Sequence, residues 1–208
     1  MLLTEHQKYA LMEFMTLALS DKSAFLLSDL MDFPVSLDVS DVCLNSLVLL
    51  SQEWSETFEH PVVCVHQKFE NSMAGDALFV LDYASAIQLA DLGNPNGKSL
   101  SPNLTVSGCE VLTEIGNVML NTYLAMLSHL RGGQLCFSIP SFNIEEVSKL
   151  LNTLIASRNE LRYALVLKAN FTIARQSVFS YLILVTGVTS LVCLIKGIEA
   201  SYEMLMPR

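Results

Sequence analysis

The fold is decided by one long helical pattern, residues 107–130, which reads SGCEVLTEIGNVMLNTYLAMLSHL. At 100° per residue, apolar side chains fill most of this helix, and its polar residues fall within about 60° of one another on one stripe. The polar residues are Glu110, Glu114, Asn117 and Asn121. Asparagine costs a helix interior about 0.5 kcal/mol relative to alanine, so two asparagines on one face suggest a function. Most such stripes are ordinary solvated helix faces, and that alternative remains open at this point.

The chain repeats this pattern with a period of about 101 residues, because residues 4–31 form a similar helix. Thr4-Glu5-His6-Gln7 and Ser107-Gly108-Cys109-Glu110 both have the form of a capping box, which predicts where each helix begins. In each half the long helix precedes a short apolar segment, a helical or irregular piece, two strand-like runs and a short helix ending in glycine. These are residues 35–39, 43–54, 62–69, 77–81 and 85–93 in the first half, and 135–139, 143–155, 161–169, 178–185 and 189–197 in the second.

This order predicts an α+β fold made of two α-β-α-β-β-α halves. The turn-forming residues 93–99 between the halves are too few to separate independent domains. We therefore predict a single domain, residues 1–208, built from two repeats at about 1–95 and 99–208. Its strands share one sheet about a pseudo-twofold axis, and the long helices pack on that sheet.

Composition narrows the classes of function. Of 208 residues, 51% are hydrophobic, which excludes disorder. The net charge of −9 disfavours binding to nucleic acid or to anionic membranes. The four histidines show no ligand spacing, so a zinc site is disfavoured. The five cysteines lack a C-x-x-C pair and are predicted to be small buried residues of a reducing compartment. With no basic region followed by an apolar run at the N-terminus, we expect a cytoplasmic protein.

One uncharged stretch, residues 177–195, has the 19-residue length of a membrane-spanning helix. Its first half is rich in β-branched and aromatic residues, and Gly187 interrupts it. A buried strand followed by a turn and a buried helix explains the stretch as well. We favour that interpretation because no basic flank would anchor a membrane span.

The polar stripe has a definite chemical capability. An amide donates and accepts hydrogen bonds together, so Asn117 could orient a water molecule. The Glu114 carboxylate could bind a lysine of a partner. Water held by an amide for in-line attack on phosphorus is the arrangement that GTPases use.

These residues also resemble a known signature. The chain reads Glu110-x-x-x-Glu114-Ile115-Gly116-Asn117 and then, after 22 further residues, Pro140. This is similar to the motif of the CheC-type chemotaxis phosphatases (CheC, CheX and FliY), in which Asp or Ser replaces Glu110. The first half departs further: Glu13 keeps the acid, but Thr16 replaces the asparagine, and Val39 or Ser40 replaces the proline. The chain therefore resembles a version of the family with one site.

The resemblance implies a substrate and roles for individual residues. The substrate would be the phosphoaspartate of a CheY-like response regulator, whose own active site holds Mg²⁺. Glu114 would bind the regulator's lysine, and Asn117 would place the attacking water. No cofactor or metal on this chain is implied. Glu110, Asn121 and Glu13 are candidates for partner contacts, and Pro140 has a structural role.

Two other functions remain as alternatives. The first is a non-catalytic CheC-like interaction module that binds the receptor deamidase CheD or works in a flagellar switch. The second is a membrane-associated protein built around residues 177–195.

Overall fold

The computed structural model describes residues 3–93, 103–131, 133–156 and 162–205. The first half contains helix α1 (Glu5–Met31), strand β1 (Val35–Ser46), helix α2 (Leu47–Thr57), strands β2 (Val62–Asn71) and β3 (Gly75–Asp82), and helix α3 (Tyr83–Leu92). The second half contains α4 (Val106–Arg131), β4 (Leu135–Phe137), β5 (Ser141–Glu145), α5 (Val147–Ala156), β6 (Arg162–Ile173), β7 (Gln176–Gly187) and α6 (Val188–Leu205). The predicted α+β class and the order of the first half are confirmed, and the second half has the same order with one additional strand, β5. The helical pieces predicted at 43–54 and 143–155 begin later, at Leu47 and Val147, because the preceding residues pair as strands. Most of the predicted segment between the halves, at 94–99, lies outside the described residues.

Within the described residues, seven strands form one antiparallel sheet in which the halves exchange strands. The order is β1-β6-β7-β3-β2-β4, and β5 also pairs with β2. At the centre, β3 of the first half pairs with β7 of the second. At one edge β1 pairs with β6, and at the other β4 and β5 pair with β2, so each half completes its sheet with the other's first strand.

Helices cover both faces of the sheet. Successive strand residues point to opposite faces, which separates the core into two clusters. The larger cluster joins α1, α3, α4 and α6 to one face, and the smaller joins α2 and α5 to the other. The central strands are buried on both faces for this reason, and β3 is buried along almost its whole length.

The uncharged stretch 177–195 is a strand followed by the start of a helix. It divides between β7 and α6, and Gly187 ends the strand. No helix in the described part of the chain has both the length and the apolar character that crossing a membrane requires. The helix predicted to end at Gly197 instead continues to Leu205, since a single glycine costs only about 1 kcal/mol in a helix that is packed on its neighbours.

Two further predictions need correction, and a third, the N-terminal capping box, is confirmed. The apolar segment 135–139 is not one strand, because pairing stops after Phe137 and resumes at Ser141. Among the cysteines only Cys64 is buried, while Cys136 and Cys193 are exposed, because they lie outside the packed faces of their elements. The capping box at Thr4 forms as predicted.

The start of α4 differs from its prediction. The helix begins at Val106, and the Thr105 hydroxyl accepts a hydrogen bond from the Gly108 backbone N–H at 3.0 Å. Thr105 is therefore the N-cap in place of Ser107, since an N-cap side chain binds the backbone two or three residues ahead. Gly108 then occupies the position that would complete a capping box, and Glu110, two residues farther on, is exposed and lacks that structural role.

Candidate functional site

A glycine, Gly116, allows helix α4 to pack closely against the sheet. A Cβ atom on Gly116 would lie 2.5 Å from Cγ2 of Val65 on β2, a distance that real Cβ contacts do not show. The glycine therefore lets the helix backbone approach the strand closely. The residues on either side of this contact, among them Leu112, Ile115 and Met119, are fully buried and fix the rotation of the helix about its axis.

With this rotation fixed, the polar stripe of α4 faces outward. Glu110, Glu114 and Asn121 are exposed, and Asn117 is partly exposed. Residues three apart on a helix have Cβ atoms about 5–6 Å apart, so one small target can meet Glu114 and Asn117 together. The apolar residues predicted for the opposite side of α4 are buried or packed against the larger core cluster.

The orientation of the Asn117 amide is fixed by hydrogen bonds from two further amides, Asn121 and Gln67. Asn121 Nδ2 donates to Asn117 Oδ1 at 2.8 Å. Gln67 Nε2 on β2 donates to Asn121 Oδ1 at 3.4 Å and to the Ser138 carbonyl oxygen at 2.8 Å. The structure therefore places Asn121 beside Asn117, where its amide supports that residue from the next turn of the helix.

Gln67 was not identified from the sequence, although a signal exists. It follows Val63 and Val65 and precedes Phe69 at alternate positions of β2, all of which face the larger core cluster. A glutamine in that series is a buried polar residue, and its exposed fraction is only 3%. A buried amide requires hydrogen-bond partners, so its presence in an apolar strand indicates a nearby polar group.

Pro140 lies at the interruption between β4 and β5. Ser138 keeps this segment close to β2, because its backbone N–H donates to the Lys68 carbonyl and its Oγ accepts from the Lys68 N–H. β1 has its own irregularity at the equivalent point, a register shift between Val39 and Asp41. In both halves, regular strand pairing is therefore interrupted at the position that corresponds to Pro140, which is consistent with a structural role for this residue.

The first half uses the equivalent helix position differently. Thr16 stands where Asn117 stands in the second half, and its Oγ1 accepts a hydrogen bond from the Val39 backbone N–H at 3.1 Å. Pro140 occupies the position that corresponds to Val39, and proline has no N–H to donate. Asn117 therefore has no equivalent strand donor to bind its side chain.

Helix α6 also covers part of the first half's helix. The rings of Tyr9 and Tyr202 make an edge contact with centroids 6.2 Å apart. Loss of solvent contact raises the pKa of the Tyr202 phenol, and the nearby Tyr9 and Glu13 add to that rise. Glu13 is consequently only partly exposed and lies beside a neighbouring helix, unlike Glu114.

Two shallow grooves lie farther along α4. One, of about 450 Å³, runs between α1 and α4 beside Phe14, Leu17 and Met126. The other, of about 600 Å³, lies beside β4 and shares Ala125 and His129 with the first. Neither groove is lined by Glu114 or Asn117. Ala125, which lines both grooves, is one turn beyond Asn121, so the grooves begin just past the end of the polar stripe. Within the described ranges, no group of three or more His, Cys, Asp or Glu side chains could hold a metal ion.

The fold and the outward stripe together define a duplicated, CheC-like α+β protein. Its fold is that of the CheC/CheX/FliY family, as three solved structures illustrate. FliY from Thermotoga maritima matches with a TM-score of 0.72 at 20% identity, covering 99% of this chain and 100% of that chain. A chain of the FliG–FliM complex from H. pylori matches with a TM-score of 0.64 at 11% identity, covering 93% of this chain and 100% of that chain. The FliM middle domain from Vibrio alginolyticus matches with a TM-score of 0.59 at 11% identity, covering 84% of this chain and 92% of that chain.

These likenesses are of fold, and they confirm the fold class predicted from the sequence. No protein-family model matches the sequence, and no curated protein matches it either. The roles of Glu114 and Asn117 therefore remain predictions that depend on the motif and on the geometry described above.

Proposed function

We propose that this protein is a phosphatase that removes the phosphoryl group from the phosphoaspartate of a CheY-like response regulator. The observation that carries the proposal is the outward placement of Glu114 and Asn117, one turn apart on the same face of α4. A carboxylate and an amide at this spacing are the two groups that the motif assigns to anchoring and to water placement. Neither needs a metal or a cofactor on this chain.

The shape of the site favours a protein substrate over a small molecule. Small-molecule sites are concave and enclose their ligand, whereas Glu114 projects from an exposed helix face. Exposed apolar residues flank the stripe: Val106 at the start of α4 is 79% exposed, and Ile139 beside Ser138 is 91% exposed. Exposed apolar side chains beside a polar site indicate a surface that binds another protein, whose own pocket would receive the helix.

The proposed chemistry is a direct hydrolysis. The Glu114 carboxylate binds a lysine of the regulator and fixes the pose. Asn117 holds a water molecule, whose oxygen attacks phosphorus as the bond from phosphorus to the aspartyl oxygen breaks, releasing phosphate and a carboxylate. Regulators already lose this group slowly, so a further factor of about 10²–10⁴, or about 3–5 kcal/mol, is required. Positioning of one water molecule and exclusion of bulk solvent can supply that amount.

The test is phosphoaspartate decay in a cognate receiver, measured with wild-type protein, Asn117→Ala and Glu114→Ala. We expect Asn117→Ala to abolish the acceleration with little change in affinity. Glu114→Ala should raise KM as well as lower kcat, because an anchor acts on binding. Two exposed residues on the opposite face of the sheet provide matched controls, Asn152→Ala on α5 and Glu56→Ala on α2. A wild-type protein that accelerates phosphate loss from none of its organism's receivers would exclude this function.

A second candidate is a non-catalytic partner in a flagellar switch or a chemotaxis complex. It is favoured by the fold shared with FliM structures, one of which comes from a FliG–FliM complex. The predicted CheD interaction belongs to this candidate. Under this hypothesis Asn117→Ala should retain every partner that the wild-type protein captures, and neither protein should alter phosphate loss.

A further inference from the structure

We infer that Asn121 and Gln67 are positioning residues that fix which end of the Asn117 amide faces the partner. This inference rests on the proposed function, since it concerns the group that meets the phosphoryl centre. Asn121 is a partner of Asn117 at 2.8 Å, and Gln67 reaches Asn121 from the buried side. Gln67 is 3% exposed, so it cannot touch a partner protein itself.

The direction of these hydrogen bonds is set by a backbone carbonyl. The Ser138 oxygen can only accept, so the nearby Gln67 amide must turn its NH₂ group toward it. The same NH₂ group then faces Asn121, whose oxygen must point back to receive it. The Asn121 NH₂ is consequently directed at Asn117 and donates to its oxygen. The oxygen and nitrogen atoms of a single side-chain amide are hard to tell apart, but the Ser138 carbonyl at the start of the series assigns them for all three amides.

The consequence lies at the outer end of the series. With its oxygen held by Asn121, Asn117 presents its NH₂ group outward. The target must therefore be rich in hydrogen-bond acceptors, as a phosphoryl group and the lone pairs of an attacking water are. Without Asn121 the amide could turn over by rotation about its last side-chain bond, which has two comparable orientations. Part of the population would then present oxygen to the phosphoryl oxygens and repel them.

The first half lacks this device. Ser20 occupies the position equivalent to Asn121, and its hydroxyl donates to the Leu17 carbonyl of its own helix at 3.2 Å. It is therefore not directed at Thr16, which already binds the Val39 N–H. The amide series thus serves only α4, the helix that carries the motif, although Gln67 comes from β2 of the first half.

The first experiment compares Asn121→Ala with Asn121→Asp in the receiver assay. Aspartate has nearly the shape of asparagine but no donor, so Asn117 would turn its NH₂ inward to bind it. We expect kcat to fall about threefold to tenfold in Asn121→Ala and further in Asn121→Asp, with KM unchanged. Ala125→Asp adds the same charge one turn farther along the exposed face and should have a smaller effect. Wild-type kcat in both Asn121 variants would overturn the inference, and so would equal losses in Asn121→Asp and Ala125→Asp.

A second variant separates positioning from direct contact. Gln67→Met keeps the length and volume of the buried side chain but removes its donors. We expect it to lower kcat with KM unchanged, although the residue cannot reach the receiver, provided that denaturant unfolding shows a folded protein. A folded Gln67→Met protein with wild-type kcat would overturn the role assigned to Gln67, and the Asn121 variants decide the rest.

NMR relaxation of the Asn117 side-chain amide in the free protein provides a readout that needs no substrate. The amide should be ordered in the wild type and mobile in Asn121→Ala. Equal mobility in the two proteins would overturn the inference even if the phosphatase is active. A wild-type protein without activity but with an ordered Asn117 amide would instead refute the proposed function and leave the hydrogen-bond series in place.

Discussion

The two long helices, α1 and α4, share one sequence pattern but differ in what their polar residues bind. Each carries a glutamate followed three residues later by a short polar side chain, Glu13 with Thr16 and Glu114 with Asn117. In α1 the Thr16 hydroxyl is bonded to the neighbouring strand through the Val39 N–H. In α4 Asn117 is bonded only along its own face and remains partly open to solvent.

The helices that close each half differ in the same sense. α3 has 10 residues and α6 has 18. The additional turns of α6 bring Tyr202 against Tyr9, which stands where Glu110 stands on α4. A duplicated fold therefore supplies two equivalent surfaces, and the protein's own strand and last helix contact one of them, where Tyr9 keeps 56% of its surface exposed. The open surface is that of α4, where Pro140 has no N–H to donate and Asn117 is bonded instead to Asn121.

The largest expected effect on stability comes from an ion pair that joins the two halves. Asp76 on β3 is hydrogen-bonded to His66 and to the buried Arg162 on β6. Asp76→Asn removes the buried carboxylate that pairs with the Arg162 guanidinium, which should cost about 3–5 kcal/mol. Urea unfolding measures this, and Asp41→Asn, which breaks the exposed pair with Lys8, should cost below about 1 kcal/mol. A loss at Asp76 no larger than at Asp41 would show that the halves do not depend on this pair.

The same carboxyl gives stability a pH dependence. Burial acts to raise the pKa of Asp76, but hydrogen bonds from His66 and Arg162 outweigh it and hold the pKa below its ordinary value. A carboxyl whose pKa is lowered by folding stabilises the folded state at pH values above the pKa that it has in the unfolded chain. This contribution is lost as the pH falls through the lower pKa of the folded state. Unfolding free energy should therefore decrease below about pH 4. That part of the decrease should be absent in Asp76→Asn.

The next effect tests how α4 is seated. Gly116→Ala places a Cβ atom 2.5 Å from Val65 Cγ2, so the helix must move away from β2. Such overpacking costs about 1–3 kcal/mol. Gly197→Ala on α6 is the matched control, because its nearest contact would be the Leu130 carbonyl oxygen at 3.8 Å. That variant should gain about 0.5–1 kcal/mol from helix propensity, and thermal unfolding should show shifts of opposite sign.

A smaller effect tests the closed surface of the first half. Thr16→Val keeps the shape of the side chain but leaves the Val39 N–H without its acceptor, at a cost of about 1–2 kcal/mol. Thr153→Val on α5, where an exposed hydroxyl binds its own helix, should change stability by less than about 0.5 kcal/mol. Equal losses in the two variants would mean that the Thr16 bond does not hold β1 in place.

How much the sequence could predict depends on the range of the interaction. Helix periodicity placed the stripe of α4 correctly, because local geometry and burial of one face determine it. The exchange of edge strands between halves, and the contact of Gln67 with Asn121 across 54 residues of sequence, depend on tertiary pairing that no local pattern encodes. The N-cap at Thr105 was missed because two hydroxyl residues stand close together, and packing of the helix selects between them.

The last and smallest effect concerns Pro140, where the difference between the halves is a single N–H group. Pro140→Ala restores a donor at the position where Val39 binds Thr16 in the first half. If that donor captures Asn117, the amide leaves its outward orientation in part of the population, so kcat should fall about fivefold, or about 1 kcal/mol, with KM unchanged. Ser141→Ala, one residue away at an exposed position, serves as the control, and its kcat should match wild type. Full activity in Pro140→Ala would show that the missing N–H does not keep Asn117 free, and that the longer α6 alone distinguishes the closed surface from the open one.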